Sequence, residues 1–301
     1  MNILFINSLH ERLCDDGALY ASQSTQLLWL KRLRKNFTKV ISLSVNKLPL
    51  AIFMLPFIIF FCRIKKIYVY NLMRRAPLGN VIKIAHFFKV PVCAIVFDIS
   101  NECQLRMARY LKDADERIVI TDAIANDFAP GLPYSREDGA GLRKHHTPTP
   151  VISTSHESFR IVYAGAIASY NCIELILDCM ASIDDMNVQL VLAGKCADGY
   201  ESIIANAAKK DSRIVYLGVI PPNDLKSIYD KASVLLCLRD IQNPLMKYHF
   251  PSKIFELIDM RKPVIASNIA HLKQSYGQMV YVLEENTVEA LKRALEVFRN
   301  F

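Results

Sequence analysis

Short apolar runs alternate with helical patterns along nearly the whole chain, and this alternation limits the fold more than any other feature. In the first half the runs fall at 3–7, 40–45, 67–71, 92–98 and 117–121. Helical patterns lie between or after them, near 18–35, 50–62, 78–88, 101–111 and 122–128. Runs rich in β-branched residues, without strict apolar–polar alternation, are strands covered on both faces. That is the signature of a parallel sheet with crossover helices. Residues 129–158 break the rhythm. Ala129-Pro130-Gly131-Leu132-Pro133 is turn chemistry, and the stretch to Ser158 has almost no periodicity, so it reads as an interdomain linker. The alternation restarts with strands expected at 159–164, 188–193, 214–217, 233–238, 263–267 and 279–283. The helices are expected near 171–183, 199–209, 222–231, 252–260, 269–275 and 287–299. The fold class is therefore α/β, with two doubly wound, Rossmann-like domains at 1–150 and 151–301. A ligand cleft is expected between them, at the carboxyl ends of the strands.

Composition narrows the partners. Of 301 residues, 52% are hydrophobic and 22% charged, which supports real cores and excludes a disordered chain. The net charge is +8, but residues 1–100 hold 14 Lys/Arg against 4 Asp/Glu, so the basic character belongs to the first half. The eight Cys form no C-x-x-C pair and mostly sit in apolar runs, as expected of reduced, buried thiols in a cytosolic protein. His145-His146 has no Cys at zinc-ligand spacing, so no metal is expected. Met1 to Asn7 has no basic leader and reads as a buried strand, not a secretory signal.

The most apolar segment, 48–62, is fifteen uncharged residues including Pro49 and Pro56. A spanning helix needs about 20, so the segment is either a buried helix or an interfacial one. Lys31, Arg32, Arg34, Lys35 and Lys39 cluster before it. Arg63, Lys65 and Lys66 follow it directly, with Arg74 and Arg75 soon after. A basic collar beside an apolar stretch suits an anionic membrane surface; the plain alternative is a core helix with a solvated basic end. Nucleic acid is not expected as a partner, because the basic residues adjoin aliphatic and Phe runs.

The most informative stretch is Tyr248-His249-Phe250-Pro251-Ser252-Lys253-Ile254-Phe255-Glu256. Pro251 presets φ for a first helical turn, so a helix starts here and buries Ile254, Phe255, Leu257 and Ile258. Its amino end, with Lys253, is a seat for a diphosphate. Glu256 lies on the same face and can accept both hydroxyls of a ribose. An amphipathic helix with an ordinary Lys–Glu pair is the competing interpretation.

This box, with Lys262-Pro263-Val264-Ile265-Ala266 after it, resembles the carboxyl-terminal domain of GT-B glycosyltransferases near glycosyltransferase family 4. It is most similar to the bacterial capsule and exopolysaccharide branch with a Tyr-x-Phe-Pro-Ser-Lys box. Phe159 to Gly165, Leu190 to Gly194 and Val215 to Val219 resemble the donor-domain strands and turns in the same order. The resemblance implies that Glu256 binds the ribose and that Ser252 and Lys253 bind the diphosphate. It further implies that Gly165 and Gly194 admit the donor, and that the loop at Val219 holds the nucleobase. Two positions depart from the family. Tyr248 stands where many members have a Glu that contacts the donor sugar, and 166–171 lacks the basic residue usual there. Lys195 or Arg239 is a candidate to supply that charge, although either also reads as a surface residue. For an inverting reaction, Asp98 at the end of its strand is the candidate general base, or else a helix N-cap. His10 is the second candidate, and Gly17 is a candidate for close approach to the phosphates. The implied enzyme is a metal-independent, hexosyl-type glycosyltransferase without a bound cofactor. Its donor is a nucleotide diphosphate-sugar, UDP or GDP, and its acceptor a lipid-linked saccharide in surface polysaccharide synthesis. It would work in the cytoplasm, on the inner face of the plasma membrane. The alternatives are a non-catalytic nucleotide- or glycan-binding subunit and a nucleotide-sugar 2-epimerase.

Overall fold

The computed structural model describes residues 1–7, 21–44, 51–70, 78–99, 101–138 and 158–299. The chain divides into two compact units. One comprises 1–144 together with 247–250, and the other comprises 145–246 together with 251–301.

In the first unit the strands are β1 (Asn2–Asn7), β2 (Lys39–Ser44), β3 (Lys66–Tyr70), β4 (Val92–Val96), β5 (Glu116–Val119) and β6 (Ser135–Arg136). All pair in parallel, in the order β2-β1-β3-β4-β5-β6. Ile3 to Ile6 and Val92 to Val96 are buried along their whole length, which is why these runs lack alternation. The helices are α1 (Ala21–Asn36), α2 (Ala51–Phe61), α3 (Leu78–Phe87), α4 (Glu102–Ala108) and α5 (Asp122–Phe128). β6 falls inside the stretch expected to be linker. It is a two-residue polar strand at the sheet edge, with no apolar run to announce it. Arg117 is buried and donates to the carbonyls of Leu111, Lys112 and Ala114, closing the 3-10 turn Arg109–Asp113.

The described part of the apolar segment, 51–62, is neither simply core nor simply surface. Leu55 and Ile59 of α2 are buried, whereas Phe53, Phe57, Phe60 and Phe61 point outward. These four, with Phe87 of α3, which packs against α2, are 58% to 82% exposed. Of the basic residues expected to form a collar, Lys31, Arg32, Arg34, Lys35 and Lys39 are exposed. Lys66 bonds both carboxylate oxygens of Glu116 at 2.5 and 2.6 Å, leaving Arg63 and Lys65 exposed beside α2. Arg74 and Arg75 lie outside the described residues.

In the second unit the strands are β7 (Phe159–Ala164), β8 (Val188–Ala193), β9 (Ile214–Tyr216), β10 (Val234–Cys237), β11 (Val264–Ser267) and β12 (Tyr281–Leu283). They too are parallel, in the order β12-β11-β10-β7-β8-β9. The chain builds β7, β8 and β9 to one side and then crosses to β10, β11 and β12 on the other. The switch point therefore lies between β7 and β10, and loops leaving their carboxyl ends diverge there to form a crevice. The helices are α6 (Ile173–Ala181), α7 (Tyr200–Lys210), α8 (Pro222–Asp230), α9 (Lys253–Asp259), α10 (Leu272–Tyr276) and α11 (Val288–Arg299). α6 and α11 pack together over the sheet, burying Ile176, Met180, Leu291 and Leu295, each contributing about 2 kcal/mol. Arg213 anchors the opposite end of this unit. Its guanidinium bonds Asp211 and the carbonyls of Met180, Ile183 and Asp185.

Candidate functional site

The loops after β7 and β8 are held together by backbone. Gly165 N–H donates to the Ala193 carbonyl at 2.8 Å and Ile167 N–H to the Lys195 carbonyl at 2.9 Å. Gly194 has φ +136°, and a Cβ there would lie 1.8 Å from the Gly165 carbonyl oxygen. The space a side chain would need is filled by the neighbouring turn, so this glycine is required for the loops to touch. A Cβ on Gly165 would meet the Tyr163 side chain, its hydroxyl at 2.8 Å and its ring at 3.3 Å, and no backbone atom as close.

Two cations converge on the switch point. Lys253, in the first turn of α9, reaches across to donate its Nζ proton to the Ala164 carbonyl at the end of β7. Burial pushes its ammonium below the ordinary lysine value, Glu256 draws it back up, and the nearby Arg239 cation pushes it down again. Lys253 and Glu256 are thus electrostatically linked, but the ammonium is hydrogen-bonded to backbone. Arg239 follows β10 and donates through Nη1 to Asn171 Oδ1, in the loop after β7, and to its neighbour's carbonyl at 3.1 Å. Arg239 is half-buried, while Lys195 is exposed. The cation nearest the loop that lacks one is therefore Arg239.

α9 is short, Lys253–Asp259, and Ser252 at its cap makes no side-chain capping bond. Its inward face is Ile254, Phe255, Leu257 and Ile258, all buried as the spacing predicts. Glu256 is exposed on the other face, beside the buried Tyr229, whose hydroxyl burial and the Glu256 charge push above its usual range. Val219 is exposed beyond β9.

Tyr248 is not brought together with this cluster. It belongs to the first unit, where its hydroxyl donates to Asp127 Oδ2 at 2.8 Å and its ring packs 5.4 Å from Phe128. Lys247 donates to the same carboxylate oxygen at 2.6 Å. His249 continues the segment: its Nε2 lies 3.1 Å from the Ile99 carbonyl and its Nδ1 3.2 Å from Asp98 Oδ1. Both ring nitrogens face oxygens. Asp98 is not a helix cap. That task falls to Asn101, whose Oδ1 accepts the Gln104 N–H at 3.0 Å. The Asp98 carboxylate remains partly open to solvent, close enough to the buried Tyr70 to add its charge to the effect of burial on that phenol. His249 was absent from the sequence-based candidates, since nothing local marks a contact between residues so far apart in the chain. His10 and Gly17 lie outside the described residues.

Among the described residues no group of three or more His, Cys, Asp or Glu is arranged to hold a metal ion. No helix among them is long and apolar enough to cross a membrane.

Residues 158–298 match the family described as Glycosyl transferases group 1. No curated protein sequence matches the chain. Several solved structures share its architecture. Alr3699/HepE of Anabaena, in complex with UDP, is 13% identical with a TM-score of 0.63, covering 100% of this chain and 90% of that one. The lipopolysaccharide outer core galactosyltransferase WaaB, in its apo form, is 13% identical with a TM-score of 0.64, covering 99% and 91%. A UDP-N-acetylglucosamine 2-epimerase assignment attaches to a Listeria monocytogenes structure that is 8% identical, with a TM-score of 0.55 and coverage of 100% and 88%. With its two parallel six-stranded sheets, the chain has the GT-B fold.

Proposed function

We propose that this protein is a glycosyltransferase that takes a sugar from a nucleoside diphosphate donor, UDP- or GDP-linked, and transfers it to a lipid-linked saccharide during surface polysaccharide synthesis. The observation that carries the reading is the convergence of Arg239 and Lys253 on the switch point of the second unit, both reaching from the segment after β10 to the β7 side of the crevice. Two fixed cations in a partly desolvated position suit a diphosphate, both as ground-state anchor and as leaving group. Glu256, three residues along α9, is assigned the ribose hydroxyls. Ser252, Gly165, Gly194 and the loop at Val219 complete the donor site. The match of 158–298 to group 1 glycosyl transferases supports this assignment, as does the UDP held by HepE.

Charge on the leaving diphosphate is offset by these side chains, so transfer proceeds without a divalent ion or other cofactor. If configuration is inverted, Asp98 takes the proton of the acceptor hydroxyl. The exposed Phe face of α2, flanked by Arg63 and Lys65, supports a site of action on an anionic membrane leaflet, where a lipid-linked acceptor would reside. The cytoplasmic, inner-face location follows from that acceptor.

The deciding experiment is a binding panel of UDP, GDP, TDP and CMP, with and without magnesium, on the wild type and Glu256→Ala. One diphosphate bound without metal, and lost in the variant, is the expected result. No binding by any nucleotide sinks the donor site. Incubation with donor sugar alone separates the epimerase alternative, which shares this fold. Conversion of the donor without acceptor would replace the transferase reading. Tight donor binding with no transfer to any lipid-linked acceptor would instead favour a non-catalytic subunit.

A further inference from the structure

We infer that Asn171 is a positioning residue that locks Arg239 into a phosphate-binding geometry, allowing a residue after β10 to act for the loop after β7. The inference rests on the donor reading above.

Three buried or half-buried polar side chains from three separate loops and strands converge on Arg239. Asn171 is 2% exposed; its Oδ1 accepts from Arg239 Nη1, and its Nδ2 donates to the Ala166 carbonyl at 2.6 Å. Ser267, at the end of β11 and 1% exposed, accepts the Arg239 backbone N–H at 3.0 Å and donates to Asn286 Oδ1 at 2.9 Å. Asn286 Nδ2 returns to the Arg239 carbonyl at 2.6 Å. Backbone and side chain of Arg239 are thus both fixed, and every member of the network uses donor and acceptor in opposite directions.

The contrast with other arginines is informative. Arg117 and Arg213 turn their guanidinium groups onto several backbone carbonyls or a carboxylate at once, as structural arginines do. Among the described residues Arg239 donates to Asn171 and to the Leu238 carbonyl, both through Nη1. An arginine has five donors in a rigid fork. Those on Nε and Nη2 are the ones this inference gives to an entering anion, beside the Tyr163 phenol, which feels the Arg239 charge. Asn171 is a neutral acceptor, so it orients the guanidinium without cancelling its charge. A carboxylate there would do both. The loop 166–171 carries no basic residue of its own. Through Asn171 it holds one borrowed from across the switch point. The ligand class is a diphosphate ester, and the loop's contribution is geometry, not charge.

The test compares UDP, inorganic pyrophosphate and uridine by calorimetry on the full chain. Asn171→Ala is expected to weaken UDP and pyrophosphate roughly tenfold and to leave uridine unchanged. Arg239→Ala should weaken the same two ligands, and the double variant should be no weaker than Arg239→Ala, because Asn171 acts only through that arginine. Equal loss for uridine, or losses that add in the double variant, would overturn the inference. Should Asn171→Ala fail to fold, Arg239→Lys decides. It keeps the charge but loses the fork, and undiminished pyrophosphate binding by it would show that orientation is unimportant. A wild type that binds no nucleoside diphosphate at all removes the donor reading itself, an outcome distinct from each of these.

Discussion

His249 Nδ1 lies 3.2 Å from Asp98 Oδ1, although the two residues come from opposite halves of the sequence. The contact engages one oxygen of the carboxylate proposed as general base. Asp98→Asn retains an acceptor for His249 but no base. Transfer by the variant is expected to fall about 100-fold, with UDP affinity unchanged. An unaltered rate with a lipid-linked acceptor would remove Asp98 from the chemistry.

Lys253→Ala removes the ammonium that reaches the end of β7. We expect UDP binding to weaken at least roughly tenfold, with a smaller effect on uridine. Lys253→Arg is not a rescue, because the planar fork does not fit the half-buried position of a point charge. Calorimetry on both variants is the check; full affinity in Lys253→Ala would leave the diphosphate without its second cation.

The two turn glycines differ in kind. Gly194→Ala combines φ +136° with a Cβ driven onto the Gly165 carbonyl, so urea unfolding should show a loss of about 3 kcal/mol or more. Gly165→Ala meets the hydroxyl end of the Tyr163 side chain and should cost less. The reverse order of stabilities would contradict this account of the loops.

Lys247 and Tyr248 hold the Asp127 carboxyl below its usual range by donating hydrogen bonds to it. A lowered native pKa stabilises above the ordinary carboxylate value, and the benefit disappears as pH falls through the lowered one. The protection factors of the amides at 247–250, measured against their intrinsic exchange rates, should therefore be high at neutral pH and fall in the acid range, below about pH 4. Asp127→Asn should exchange quickly at neutral pH already. If its protection equals wild type, Asp127 is not what holds the segment.

The Phe face of α2 predicts binding to vesicles containing phosphatidylglycerol. Replacing Phe57, Phe60 and Phe61 with Ser should weaken partitioning by well over tenfold. Each change should cost at most about 0.5 kcal/mol in stability, because these rings face outward. Arg63→Glu with Lys65→Glu should release the protein in a salt-dependent manner. Persistent binding by both sets would assign the face to another partner.

Much of this fold was legible before any coordinates. β7, β8 and α5 occupy the residues predicted for them, because a run of β-branched residues or a helical period leaves few alternatives. The polar edge strand β6 was invisible for the opposite reason: it buries nothing that a pattern can register. The site was half legible. Lys253 and Glu256 announce themselves beside a helix start. The grip of Asn171 on Arg239 and of His249 on Asp98 depends on which loops the topology brings together, and no local spacing encodes that. Lys66 shows the same limit on the surface, where its partner Glu116 sits on a strand not adjacent in sequence.

The four residues 247–250 give the chain an uneven seam. Their side chains find partners on Asp98, Asp127 and Phe128, while the next residues turn at once into the helix that carries Lys253. A carboxyl-terminal fragment cut at the linker would carry Tyr248 and Phe250, both buried in the full chain, away from the unit they belong to. Anyone expressing that half alone should expect a sticky loop immediately ahead of Lys253. Supplying the missing half in trans is then a complementation assay in its own right.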